Sequence, residues 1–297
     1  MAETSTTTAR RIWRRQFGQL YLAALIVTLV PHTVAWTLPT YLAHRDAKHA
    51  VVEAAAAQDA LVHGRLGDAL AAAERALALN PELDGAQAIK ASALIERFWV
   101  TKNEGDLRAA RVLAAGLQQS RDSAAFVARG NLAIADRDPK GAVALMSNAV
   151  ELDPNDAYAQ HQYGFALNEA GRPDDALARF KQALALAPKM AWVQANLANL
   201  LPKLQRCDEP IPGLIPEARA SCFDSIGVKQ FNSGRFDEGR RSFERAVQLA
   251  PDTGGYHANY AIALLQTGDR AGATDHATRA KALGVKDHPV FAPLGIR

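Results

Sequence analysis

Apolar residues recur three and four apart along most of this chain, and alanine fills many of those places, a pattern of helices that approach one another closely. Four such runs close on a proline: ALALNP at Pro81, AVELDP at Pro154, ALALAP at Pro188 and AVQLAP at Pro251. Five residues before each proline stands an alanine (Ala76, Ala149, Ala183, Ala246). Twelve before it stands another small residue (Ala69, Ala142, Ala176, Gly239). Pro154 and Pro188 lie 34 residues apart, which is the period of a stacked helical hairpin. The small residues suit the place where two helices cross. Gly171 and Gly234 suit a left-handed helix end, and each proline closes a second helix.

The unit 157–190 carries Tyr163-Gly164, Leu167, Gly171, Ala176, Phe180, Ala183 and Pro188. In order and spacing it resembles the tetratricopeptide repeat (TPR), except that Gln160 stands where the family opens with tryptophan. Unit 220–253 matches through Phe223, Gly227, Gly234, Phe243, Ala246 and Pro251. Unit 123–156 matches through Phe126, Gly130, Ala142, Ala149 and Pro154, with Arg137 in the usual glycine place. Residues 50–83 read as a first repeat, and 84–122 as a second with extra residues around Trp99 to Gly105. Residues 191–219 begin as a repeat but then meet Pro202, Pro210, Pro212 and Pro216. The segment 205–219 is therefore expected to be an irregular insertion in place of a second helix. The last unit, 254–287, ends in Lys281, Lys286, Asp287 and His288 and reads as a polar cap before a tail at 288–297. The resemblance implies an all-α TPR solenoid over 44–287, a right-handed superhelix of hairpins.

Ahead of the repeats, Arg10, Arg11, Arg14 and Arg15 end a basic segment, 1–15. An uncharged run follows, QFGQLYLAALIVTLVPHTVAWTLPTYLA over 16–43. About 20 apolar residues span a bilayer, so the expectation is one transmembrane helix. The arginines place the N-terminus in the cytoplasm and the repeats outside it, in the periplasm of a bacterial inner membrane. A cleaved signal peptide is the rival, with Pro31 as breaker and Thr33-Val34-Ala35 as the small-residue site. Trp36 and the apolar run to Leu42 suit a retained anchor better, and both readings export the rest. Cys207 and Cys222 flank the proline-rich segment, and in an oxidising compartment they can close it as a disulfide.

The net charge of +3 is small. No basic stripe interleaved with aromatics occurs, so nucleic-acid binding has little support. The eight histidines form no HExxH and no close set with cysteine. Phosphate-binding glycine loops are also missing, so neither catalytic residues nor a metal, cofactor or small-molecule substrate is expected. Asp174-Asp175 begins a second helix, where negative charge suits the helix N-terminus. In TPR proteins the first helix of each hairpin lines the concave face. That register nominates Val127, Asn131, Ile134, Tyr158, His161, Phe165, Asn168, Glu169, Trp192, Asn199, Asp224, Val228 and Phe231 as a groove for a peptide or helix of a protein partner. Val127 stands where a carboxylate-clamp TPR needs a lysine, which argues against that subclass. The expected function is a membrane-tethered scaffold that assembles an envelope complex. A periplasmic chaperone-like holder of unfolded or newly translocated chains is one alternative. A structural subunit of a membrane complex, suggested by Pro31 and His32 within the anchor, is another.

Overall fold

A computed structural model describes residues 40–296. The basic segment 1–15 and the expected anchor 16–43 lie outside the described residues, except for 40–43. Those four residues begin helix α1, which runs over 40–62, so the expected boundary at 43/44 falls inside a helix. No helix among the described residues is long and apolar enough to cross a membrane.

The described chain is helical throughout. Helix α1 pairs with α2 (Leu66–Leu79), and Arg75 bonds Glu53 at 2.8 Å across them. Then α3 (Asp84–Thr101) pairs with α4 (Glu104–Gly116), α5 (Ser123–Ala135) with α6 (Pro139–Leu152), and α7 (Ala157–Glu169) with α8 (Pro173–Leu186). Helix α9 (Ala191–Leu204) has no second helix after it. The pairs α10 (Pro216–Asn232) with α11 (Phe236–Leu249) and α12 (Gly254–Gln266) with α13 (Arg270–Ala282) follow, and α14 (Phe291–Leu294) is the last helix among the described residues. First helices also touch along the stack, α3 with α5, α5 with α7 and α7 with α9. This is an all-helical TPR solenoid.

Helix ends follow from local chemistry. Asp122, Asp138, Asp156 and Asp269 each accept backbone N–H groups that open α5, α6, α7 and α13, satisfying donors the helix leaves free. Proline opens α6, α8 and α10 at the first helical position, where its missing N–H costs nothing. For that reason the irregular segment stops at 215, not at 219 as its prolines alone suggested. The extra residues of the second unit lengthen α3 by a turn, and Lys102 ends it with φ 58°. Arg137 adopts φ 61°, the left-handed conformation that Gly171 and Gly234 take in the matching turns.

Within each hairpin the crossing is as close as the small residues permit. A Cβ added at Gly164 would sit 2.7 Å from the Phe180 ring, and one at Gly227 would sit 2.8 Å from the Phe243 ring. At Gly130 the obstacle is the methyl end of Met146, 2.6 Å away.

Between hairpins a second contact repeats. Gln87 donates its side-chain amide to the carbonyl of Pro81 at 2.7 Å, Gln160 to Pro154 at 2.9 Å, and Gln194 to Pro188 at 3.2 Å. The Nε2 of His257 lies 2.8 Å from the carbonyl of Pro251. A carbonyl only accepts, so His257 carries its proton on Nε2 there. Each donor is the fourth residue of its unit, the place where the repeat pattern has tryptophan.

In the fifth unit the segment 205–215 packs where a second helix would lie. Cys207 and Ile211 are buried in the main core. Gln194 bonds the Gly213 carbonyl at 2.8 Å and accepts from the Ile215 N–H at 3.2 Å. Cys207 is disulfide-bonded to Cys222 on α10. At the end of the last unit Lys286 and Asp287 are exposed, and beyond them Val290 and Phe291 are buried against the alanine face of the last hairpin. The stack also curves far enough to meet itself. Gln58 of α1 donates to the Asp156 carboxylate at 3.1 Å, and the Trp192 indole lies against Gly64.

Gly164→Ala should lower stability by about 1–3 kcal/mol, because the methyl meets a buried ring that cannot retreat. Gly130→Ala should stay within about 1 kcal/mol of the parent, since the helix-propensity gain offsets displacement of a flexible methionine end. Thermal or urea melts of the two variants check the contrast. Gln160→Ala should cost about 0.5–1.5 kcal/mol by removing the hydrogen bond to the Pro154 carbonyl, whereas Gln160→His, the arrangement found at His257, should recover much of that loss in the same melts.

Candidate functional site

The concave side holds a pocket of about 590 Å³ built from successive first helices. Helix α3 supplies Ile95, Glu96 and Trp99, and α5 supplies Asn131 and Ile134. Arg137 joins from the turn after α5. Helix α7 gives His161, Gln162, Phe165 and Glu169, and α9 gives Trp192 and Asn196. The walls are aromatic and aliphatic, and the floor is polar.

That floor is a hydrogen-bonded network. The Tyr158 hydroxyl donates to Glu96 Oε1 at 2.9 Å, Gln162 donates to the same oxygen, and Asn131 donates to the Tyr158 hydroxyl at 3.1 Å. Burial pushes the Glu96 carboxyl up from its ordinary range, while the hydrogen bonds from Tyr158 and Gln162 oppose that rise. Burial, reinforced by the Glu96 charge, raises the Tyr158 hydroxyl well above 10, so it stays a protonated donor. Asn196 bonds His161 Nε2 at 2.8 Å, while His161 Nδ1 is buried without a partner among the described residues. Burial lowers the His161 pKa to about 3, so the ring is neutral at physiological pH.

Of the thirteen nominated residues, six line this pocket: Asn131, Ile134, His161, Phe165, Glu169 and Trp192. Tyr158 lies beneath it, fully buried. Val127, only 2% exposed, belongs to the core between hairpins rather than to a groove. Phe231 packs on Phe236 and Phe243 within its own hairpin, with ring centres 5.0 and 6.4 Å apart. Asn168 bonds Glu169 at the edge, and Asn199 is exposed away from the pocket. Asp224 and Val228 sit on α10, outside the pocket. Burial raises the Asp224 carboxyl, which accepts from Asn259 at 2.8 Å.

Glu96, Trp99 and Ile95 were missed because the irregular second unit was given no register. Counted from Asp84, Ile95 and Glu96 occupy the twelfth and thirteenth places, the same places as Asn168 and Glu169 in unit 157–190. That count was the available signal. Gln162 and Asn196 share a sixth place that the register did not include. Among the described residues no group of three or more histidine, cysteine, aspartate or glutamate side chains could hold a metal ion.

Family models of the tetratricopeptide repeat match residues 145–178, 167–209 and 227–285, so the chain carries TPR repeats. No curated protein matches it. Solved structures similar to it include PilF of Pseudomonas aeruginosa, 13% identical, covering 84% of this chain and 98% of that one at a TM-score of 0.41. MamA from residue 41 onward, of Desulfovibrio magneticus RS-1, is 20% identical over 54% of this chain and 94% of its own, at 0.36. YrrB, described as a TPR protein with an unusual peptide-binding site, is 19% identical over 61% and 95%, at 0.38.

Between the ordinary histidine pKa of 6.5 and about 3, the unfolded chain binds a proton at position 161 that the folded chain refuses. Stability therefore falls as the pH is lowered through that window, by about 1.4 kcal/mol per pH unit once well below 6.5. Urea melts from pH 7 to pH 4 should show a shallower fall for His161→Gln than for the parent. Equal slopes would mean that His161 takes up protons in the folded state.

Proposed function

We propose that this chain is a non-enzymatic scaffold that binds a partner protein in its concave pocket, tethered to a bacterial inner membrane by residues 16–43 with the repeats in the periplasm. The observation that carries the reading is the pocket itself. Four successive first helices converge Trp99, Phe165 and Trp192 with Asn131, Gln162 and Asn196 around one cavity. Aromatic rings supply anchoring area, and side-chain amides pair with the backbone of a bound segment. The repeat pattern supports protein binding as the class of function, and the uncharged run behind the arginine cluster supports the tether.

A photo-crosslinking amino acid placed at Phe165 in the full chain tests both parts. It should capture a discrete partner in cells, in a membrane fraction that resists alkaline extraction. The same probe at Val112, 74% exposed on the second helix of its hairpin, should not capture that partner. Equal capture at both positions, or at neither, sinks the groove reading, and release by alkali sinks the tether.

A further inference from the structure

The pocket floor holds an acid with no cation. Glu96 spends one oxygen, Oε1, on both the Tyr158 hydroxyl and the Gln162 amide, and Oε2 has no partner among the described residues. No lysine or arginine of the described chain pairs with this carboxylate. A partly buried carboxylate left unpaired is costly, and the cost is relieved when an opposite charge arrives. Above it stand Trp99, Phe165 and Trp192, whose ring faces attract cations. The chain's own Lys102 already illustrates this, with its ammonium 5.2 Å from the Trp99 ring centre. Glu169 adds a second acid at the exposed edge, and Arg137, also exposed at the rim, offsets one of the two. The neutral His161 contributes no charge. A volume of about 590 Å³ exceeds one side chain, leaving room for flanking backbone beside Asn131 and Asn196.

We propose that this pocket recognises a lysine or arginine side chain of the bound polypeptide, seated between the aromatic walls with its charge on Glu96 Oε2. The proposal rests on the scaffold reading and names the chemistry its groove selects. Basic residues in the partner segment are then the specificity determinant, and an acidic or purely apolar segment is rejected because it leaves Glu96 unpaired.

The test uses the full-length chain in mild detergent with fluorotryptophan, its Trp99 and Trp192 resonances assigned from Trp99→Phe and Trp192→Phe. The probes are blocked glycine pentapeptides with a central arginine, lysine, norleucine or glutamate. The arginine and lysine peptides should shift both resonances saturably, and the norleucine and glutamate peptides should not. Glu96→Gln keeps acceptors for Tyr158 and Gln162, so it should melt no lower than the parent while weakening the arginine peptide at least tenfold. Norleucine binding as well as arginine, or Glu96→Gln binding arginine undiminished, overturns the proposal. If no peptide binds while the Phe165 crosslink persists, the basic-residue reading falls and the scaffold reading stands. Loss of the crosslink as well removes both.

Discussion

The proline that follows four of the second helices, α2, α6, α8 and α11, presents its carbonyl beyond the helix, and at each of these junctions the next hairpin supplies a donor to it. A hydrogen bond of this kind contributes about 0.5–1.5 kcal/mol, and this chain makes it three times with glutamine and once with histidine, each six residues downstream. The donor belongs to the next hairpin, so the bond fixes where each first helix begins relative to the helix before it. At those four junctions the polar contact adds direction to interfaces packed with alanine, leucine and aromatic side chains. Small side chains allow close approach but specify angle weakly; the amide bonds supply the missing specification.

The curvature that follows has a functional consequence. Because α1 reaches Asp156 and the turn at Gly64 meets Trp192, the first unit closes on the fourth and fifth, and Trp192, held at that contact, also stands on the wall of the pocket formed by α3, α5, α7 and α9. Buried polar side chains concentrate on the helices around it: Asn131, Gln162 and His161 are each no more than 5% exposed. A core this rich in alanine has few large side chains to fill space, and the polar network over Glu96 takes that role beneath the pocket. Tyr158 and Gln162 also hold the acid in one position.

How much of this could be read beforehand depended on the kind of residue. Glycine and proline punctuate backbone conformations, so the hairpins at 123–156, 157–190 and 220–253 were legible from Gly130, Gly164, Gly171, Gly234 and the closing prolines. Side-chain destinations were legible only in part. Asn131, Ile134, His161, Phe165, Glu169 and Trp192, drawn from all five nominated places, line the pocket, whereas Tyr158 and Val127 turn inward and Asn199 lies off it, so place in the repeat alone did not decide the destination. Phe231 failed for a local reason: Phe236 and Phe243 of the same hairpin offered it an aromatic partner. Glu96 was hidden because an extra turn of α3 disguised its unit, although its place in the repeat is ordinary once counted from Asp84.

The fifth unit shows what the solenoid does when a helix is missing. Removing a second helix exposes the flank of α8 and one side of α9, and a proline-rich strand of chain cannot restore helical contacts. It covers the gap with Cys207 and Ile211 as apolar plugs and with Arg219 donating to the carbonyls of Cys207 and Glu209 at 2.7 and 2.9 Å. Lys181 of α8 and Arg206 both pair with Glu209, so the loop is tied to the preceding hairpin by charge as well. The disulfide joins it to α10, closing a separation of 15 residues, which on chain-entropy grounds contributes about 3 kcal/mol. Gln194 completes the device by bonding Pro188 behind it and the loop at Gly213 and Ile215 ahead of it. The junction donor that elsewhere links two hairpins here also holds the replacement for a helix, so Trp192 and Asn196, on the same turn of α9, keep their places on the pocket wall.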